Sequence, residues 1–226
     1  MDIGKSFGFV FEDEKWITKV LIGGLVSLIP IVDFAALGYA VRTLKNVAEG
    51  AERPLPDWGE FGDFFVKGLM VFLAVLIYSI PAILLSTMGA VITAVASSGS
   101  QDTVSGALAV CTAAISCVAV LYSLIVALWA PAAAVDYAMS GEFVAFFRFG
   151  EIWSLISANL GGYIVALVVA WLASLVASLV GAILCLVGTL FTSFWAVLVA
   201  SHLLGQWRRQ APKAVPPAVT PTPLPS

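Results

Sequence analysis

Three stretches of the chain, 68–101, 103–135 and 152–207, contain no Asp, Glu, Lys or Arg. A helix rises 1.5 Å per residue, so about 20 apolar residues cross a bilayer core of about 30 Å. The first two stretches each predict one span, over 68–96 and 104–129, and the third predicts two, over 161–184 and 185–207. Gly181 and Gly188 are both candidates for the turn between the last pair. Pro81 predicts a kink in the first span because a proline there removes a backbone hydrogen bond. Pro131 and Asp136 predict that the second span ends and the chain returns to water.

The segment 20–41 is apolar except for Asp33, and Gly23, Gly24 and Pro30 interrupt it. An aspartate at the bilayer centre costs about 2.5–3.5 kcal/mol, whereas the Leu, Ile, Val and Phe of this segment return about 5 kcal/mol before the Gly and Pro penalties. Hydropathy therefore leaves crossing and re-entry both open. Two flanking regions mix aromatic and charged residues as membrane-surface helices do. One is 1–19, with Ile3, Phe7, Val10, Phe11 and Ile17; the other is 140–159, with Phe143, Phe146, Phe147, Phe149, Ile152, Trp153 and Ile156. The polar stretch 42–67, centred on Pro54-Leu55-Pro56-Asp57-Trp58, predicts a water-exposed loop.

Charge placement separates the two readings of 20–41. Cytoplasmic loops collect Lys and Arg. If 20–41 turns back, then Lys5, Lys15, Lys19, Arg42, Lys45, Arg53, Lys67, Arg148, Arg208, Arg209 and Lys213 all fall on one side. If it crosses, the three N-terminal lysines move away from the rest. The expected fold is thus all-α and polytopic: four full spans, one re-entrant or short helical hairpin and two amphipathic interfacial helices. Both termini are expected in the cytoplasm of a prokaryotic plasma membrane, with a five-span, N-outside chain as the alternative. Trp16, Trp58, Trp129, Trp153 and Trp207 would form an aromatic belt near that interface.

Composition agrees. Of 226 residues, 61% are hydrophobic and 11% charged, which excludes a water-soluble single domain. Eleven basic and 14 acidic residues are too evenly balanced to suggest a nucleic-acid partner. No cleaved targeting segment is expected, since the first apolar run starts only at Val20 behind several acids. One membrane domain, 1–207, is followed by a basic and then proline-rich tail, 208–226, expected to be disordered. Cys111, Cys117 and Cys185 read as small buried hydrophobes. Phe9, Phe11, Asp13, Gly23 and Gly24 match Phe147, Phe149, Glu151, Gly161 and Gly162 at a constant offset, with chance as the competing explanation of this possible duplication.

Chemistry-bearing residues are few. Asp33 is the acid deepest in an apolar run, and an ionisable group inside a membrane is a functional candidate; the competing reading places it at the tip of the hairpin, solvated or paired. His202 is the single histidine, five residues before Trp207, either a proton shuttle or head-group ligand or an interfacial side chain bonded to a neighbour. Gly4-Lys5-Ser6 imitates a phosphate-loop ending without the preceding glycine and strand. No Gly-x-Ser-x-Gly or paired-histidine zinc motif occurs, and no catalytic, cofactor or metal site is expected. Gly162, Ala166, Ala170, Ala173, Ala177 and Gly181 form a ridge of small residues suited to close helix packing, inside the fold or at a homodimer seam.

Several strings carry a family resemblance: Gly38-Tyr39-Ala40 with Arg42, Asn46 and Gly50; Pro54-Leu55-Pro56-Asp57-Trp58; Phe61-Gly62-Asp63 and Gly68-Leu69; Tyr78 and Pro81; Phe149-Gly150-Glu151-Ile152, Asn159 and Gly162-Tyr163; and Ala200-Ser201-His202-Leu203-Leu204-Gly205-Gln206. Over about 1–207 the chain resembles the prokaryotic multi-pass membrane family catalogued as domain of unknown function 4013. Gly162 stands where that pattern leads one to expect an acid. The resemblance implies a multi-pass membrane protein and carries no catalytic residue. The expected role is a non-enzymatic accessory or scaffolding component whose partners are the lipid bilayer and a second copy or another membrane protein. A small-solute or lipid transporter or channel is the alternative, and a lipid head-group enzyme the third reading.

Overall fold

The computed structural model describes residues 1–98 and 102–211, and the proline-rich expectation for the tail falls beyond them from residue 212 on. Among these residues the helices are α1 (Ile3–Gly8), α2 (Trp16–Val26), α3 (Asp33–Glu49), α4 (Phe61–Ser98), α5 (Asp102–Ser140), α6 (Phe149–Ala158), α7 (Leu160–Ile183) and α8 (Cys185–Gln210), with single 3-10 turns at Trp58–Glu60 and Phe143–Phe147. Four helices are long and apolar enough to cross a membrane; their spans follow α4, α5, α7 and α8, the first beginning at Trp58 just ahead of α4. The turn between α7 and α8 falls at Leu184, between the two candidate glycines.

Segment 20–41 turns back. Helix α2 has 11 residues, about 16 Å of rise and roughly half a bilayer core. It ends in a run of turns in which Leu28, Ile29 and Ile31 are exposed. Helix α3 then returns the chain to its starting end. Arg53, just beyond α3, pairs with Glu14 just before α2 (3.0 Å), and the Trp58 indole donates to the Lys19 carbonyl near the start of α2 (3.0 Å). The tip presents Leu28, Ile29 and Ile31 outward, while its backbone amides are satisfied locally: those of Leu28, Ile29, Val32 and Asp33 donate to the Leu25, Val26 and Ile29 carbonyls, as backbone at membrane depth requires.

Helix α3 sits between α4 and α8, and the approach is set by glycine. A Cβ on Gly38 would lie 1.7 Å from the Phe64 carbonyl oxygen, and one on Gly68 would lie 1.7 Å from that of Phe34. Backbone therefore touches backbone across the α3–α4 crossing. On the other side, a Cβ on Gly205 of α8 would meet the Leu44 carbonyl oxygen at 2.7 Å. Gly50 ends α3 in the left-handed region (φ 84°), where its amide bonds back to the Asn46 and Val47 carbonyls; glycine adopts that conformation without a side-chain penalty.

Three expectations change. The stretch 42–67 is not all loop, because α3 runs on to Glu49 and α4 begins at Phe61, and Leu55 in the remaining connection is buried. Nor does Pro131 end the second span: α5 continues through it to Ser140. Ala132, Ala133, Val135, Tyr137 and Ala138 beyond the proline are all buried in the main core, and that burial outweighs one lost backbone hydrogen bond, which costs about 3 kcal/mol. Outward faces remain apolar. Ile83, Leu84 and Val91 on α4, Val120, Leu124 and Ile125 on α5, and Val168, Trp171 and Leu179 on α7 are exposed. Cys111 and Cys117 are likewise exposed on α5 and not buried.

Candidate functional site

Polar side chains concentrate at the end of the bundle where the hairpin begins and α8 ends. There α1 lies against the last turns of α8, because Asp2 caps α1 with its side chain and also engages Gln206. The Asp2 amide donates to Gln206 Oε1 (2.6 Å), and Gln206 Nε2 donates to the Asp2 carbonyl (3.0 Å). This pairing orients the Gln206 amide, so the contact of its Nε2 with His202 Nδ1 (3.1 Å) makes Nδ1 an acceptor. The imidazole is then neutral, with its proton on Nε2. Ser6 Oγ stands 2.9 Å from the same Nδ1 and 3.0 Å from the Asp2 carbonyl oxygen. Phe9 stacks on the imidazole with ring centroids 4.3 Å apart.

A serine beside a histidine invites comparison with a nucleophilic pair. Ser6, however, has 0% exposure, and a nucleophile must reach its substrate. The pair clamps α1 to α8. Beside it opens a cavity of about 560 Å³. His202 and Gln206 of α8, Lys5 of α1, Glu12, Glu52 and Arg209 all contribute to its lining. Neither Lys5 nor Arg209 makes an ion pair among the described residues. Arg209 packs on the open face of Gly50, 3.3 Å from where a Cβ would sit, at the negative end of the α3 dipole.

The Pro54–Trp58 segment is held residue by residue. Asn46 Nδ2 donates to the Pro54 carbonyl (2.9 Å), Lys19 Nζ to that of Leu55 (2.9 Å) and the Tyr39 hydroxyl to that of Pro56 (2.8 Å). Trp58 stacks on Tyr39 at 4.5 Å. Lys19 is buried and also bonds Asp13 (2.8 Å) and approaches Asp57 (3.4 Å). Burial works to raise the Asp13 pKa, but the hydrogen bonds from Lys19 and the Lys15 amide, with the charges of Lys19 and Arg53, hold it below its ordinary 3.8. Sequence reading missed this cluster, although a lysine directly before an apolar run was its available signal.

Asp33 opens α3 in its first turn, at the hairpin tip, where the helix dipole favours an acid. It borders a cavity of about 200 Å³ with Ser27 and Ser193 among otherwise apolar neighbours. His202 lies at the opposite end of α3, so the two candidates do not share a site. Of the small-residue ridge, Ala166, Ala173, Ala177 and Gly181 are buried, while Gly162 and Ala170 are half-buried. Helix α8 is the main neighbour of α7, and a Cβ on Gly181 would lie 2.6 Å from Thr189 Cα. The ridge thus packs within the fold. The matched segments of the possible duplication sit in unlike settings: Gly23 and Gly24 press on Phe194 and Phe191 of α8, whereas a Cβ on Gly161 would meet open space.

These features define an all-α, multi-pass membrane protein whose polar clusters lie chiefly at one end of the bundle. The chain belongs to DUF4013, a family of proteins of unknown function whose model matches residues 22–186. That range includes the Gly38–Gly68 crossing and the Pro54–Trp58 segment but stops short of the His202–Gln206 string. Comparison with curated proteins and with solved structures returned no match.

Proposed function

We propose that the chain is a non-enzymatic accessory or scaffolding component of a prokaryotic plasma membrane, with both termini in the cytoplasm. One observation carries the reading. In the most catalytic-looking pair, Ser6 is sealed off at 0% exposure with its hydroxyl clamped against His202 Nδ1, while α4, α5 and α7 present long apolar faces outward. The buried small-residue ridge serves α8, so a neighbouring membrane protein or second copy meets the outer faces of α4 and α5. The basic residues support the orientation, because the contacts of Arg53, Lys19 and Arg42 with Glu14, Asp57 and Glu60 gather their segments at one end.

Cys111 and Cys117 on α5 provide the test. In native membranes, a short bismaleimide should join the chain through these cysteines to one partner of fixed size, and substitution of both by serine should abolish the adduct. Monomer alone at complete cysteine modification overturns the scaffold reading. Maleimide labelling of single cysteines placed at Glu12 and Glu142 only after membrane permeabilisation supports the orientation; labelling from outside overturns it.

A further inference from the structure

The cavity between α1, α3 and the end of α8 is better built than a clamp requires. His202 stands in its wall at 4% exposure. Gln206 and Ser6 occupy Nδ1 from behind, so the proton is on Nε2, and Nε2 has no hydrogen-bond partner among the described residues. The open edge of the ring thus meets the cavity, where an N–H can donate to an acceptor that enters. Two cations without an ion pair among the described residues, Lys5 and Arg209, line the same space, and so do the acids Asp2, Glu12 and Glu52, of which Asp2 is engaged in capping α1. A simple anion would meet these acids unfavourably, and a simple cation would meet Lys5 and Arg209. A group carrying both charges satisfies both.

We propose that this cavity binds a phosphate ester bearing an ammonium group, with the phosphate oxygens on Lys5, Arg209 and the His202 N–H and the ammonium on Glu12 and Glu52. About 560 Å³ is ample for such a group. Its location at the polar end of the bundle lets it be reached by the zwitterionic head group of a phospholipid or by the corresponding free phosphoamine. The site is independent of the scaffold reading, which does not require a ligand.

The test uses full-length protein in nanodiscs of phosphatidylethanolamine or phosphatidylglycerol, read by native mass spectrometry after release, together with calorimetric titration of O-phosphoethanolamine, inorganic phosphate and ethanolamine. Retention of phosphatidylethanolamine over phosphatidylglycerol assigns the membrane source. Calorimetric binding of O-phosphoethanolamine, with neither phosphate nor ethanolamine alone binding comparably, assigns the soluble one. Lys5→Met, Arg209→Gln and Glu52→Gln alter exposed side chains and should keep the fold, checked by thermal melting, while each weakens binding about tenfold through loss of a charge-assisted bond. Equal retention of both lipids together with no binding of O-phosphoethanolamine overturns the proposal. So does unchanged affinity in all three variants.

Discussion

Lys19 shows how one side chain can organise a region. Its ammonium is buried and held by Asp13, the Leu55 carbonyl and Asp57, so removing Asp13 leaves it only the Leu55 carbonyl and the more distant, exposed Asp57. Asp13→Asn or Lys19→Met should destabilise the folded protein by about 1.5–3 kcal/mol, the range for a hydrogen bond to a charged group at a partly buried pair, seen as a lower melting temperature in detergent at pH 7. The lowered Asp13 pKa gives this contribution a sign in pH. It is fully present above the unfolded value near 3.8 and is lost as pH falls through the folded value. The gap between wild type and Asp13→Asn should therefore close in acid melts. Gly38 and Gly68 make a sharper case, because a methyl group at either would collide with backbone and not with a yielding side chain. Gly38→Ala should cost at least about 1–3 kcal/mol as an overpacking change, measured as loss of folded monomer on size-exclusion chromatography. Ala replacing Gly62, where a Cβ meets nothing within 4 Å, should be close to neutral.

At the scale of elements, the four spans were legible because charge-free runs are a property of composition along the chain and need no partner to interpret. Helix α7, expected over 161–184, runs Leu160–Ile183. The fate of Pro131 was not legible, since the burial that sustains α5 past it comes from side chains distant in sequence. The tryptophans teach the same lesson. Trp207 has 0% exposure, with its indole N–H bonded to the Asn159 carbonyl (3.0 Å), and Trp58 stacks on Tyr39; these two tie elements together at the bundle end and do not form a lipid-facing belt. Only Trp153 of the five is strongly exposed. For the ridge, burial ranks the positions: Ala173→Leu and Ala177→Leu should force α7 from α8, whereas Ala170→Leu, half-buried, should be milder. Comparing the melting temperatures of the three variants checks this order.

For the whole molecule, the asymmetric placement of basic residues argued that 20–41 turns back, and the contacts between Arg53 and Glu14 and between Trp58 and Lys19 bring its two ends together. Replacing Asp33 with Asn should change the melting temperature little, by the equivalent of about 0.3–1 kcal/mol for a charge at a helix N-terminus, while leaving that pairing intact. The linear order of residues determined the membrane class, the number of spans and the family likeness, because hydropathy and charge act locally and sum along the chain. It also marked His202 and Asp33 as unusual. Whether those residues meet, which face of the small-residue ridge is covered, and that Ser6, Gln206 and His202 close around one another across nearly the whole chain depended on three-dimensional packing. Such contacts join positions some 200 residues apart, and no local pattern specifies which distant backbone will come close enough to require a glycine or accept a proton.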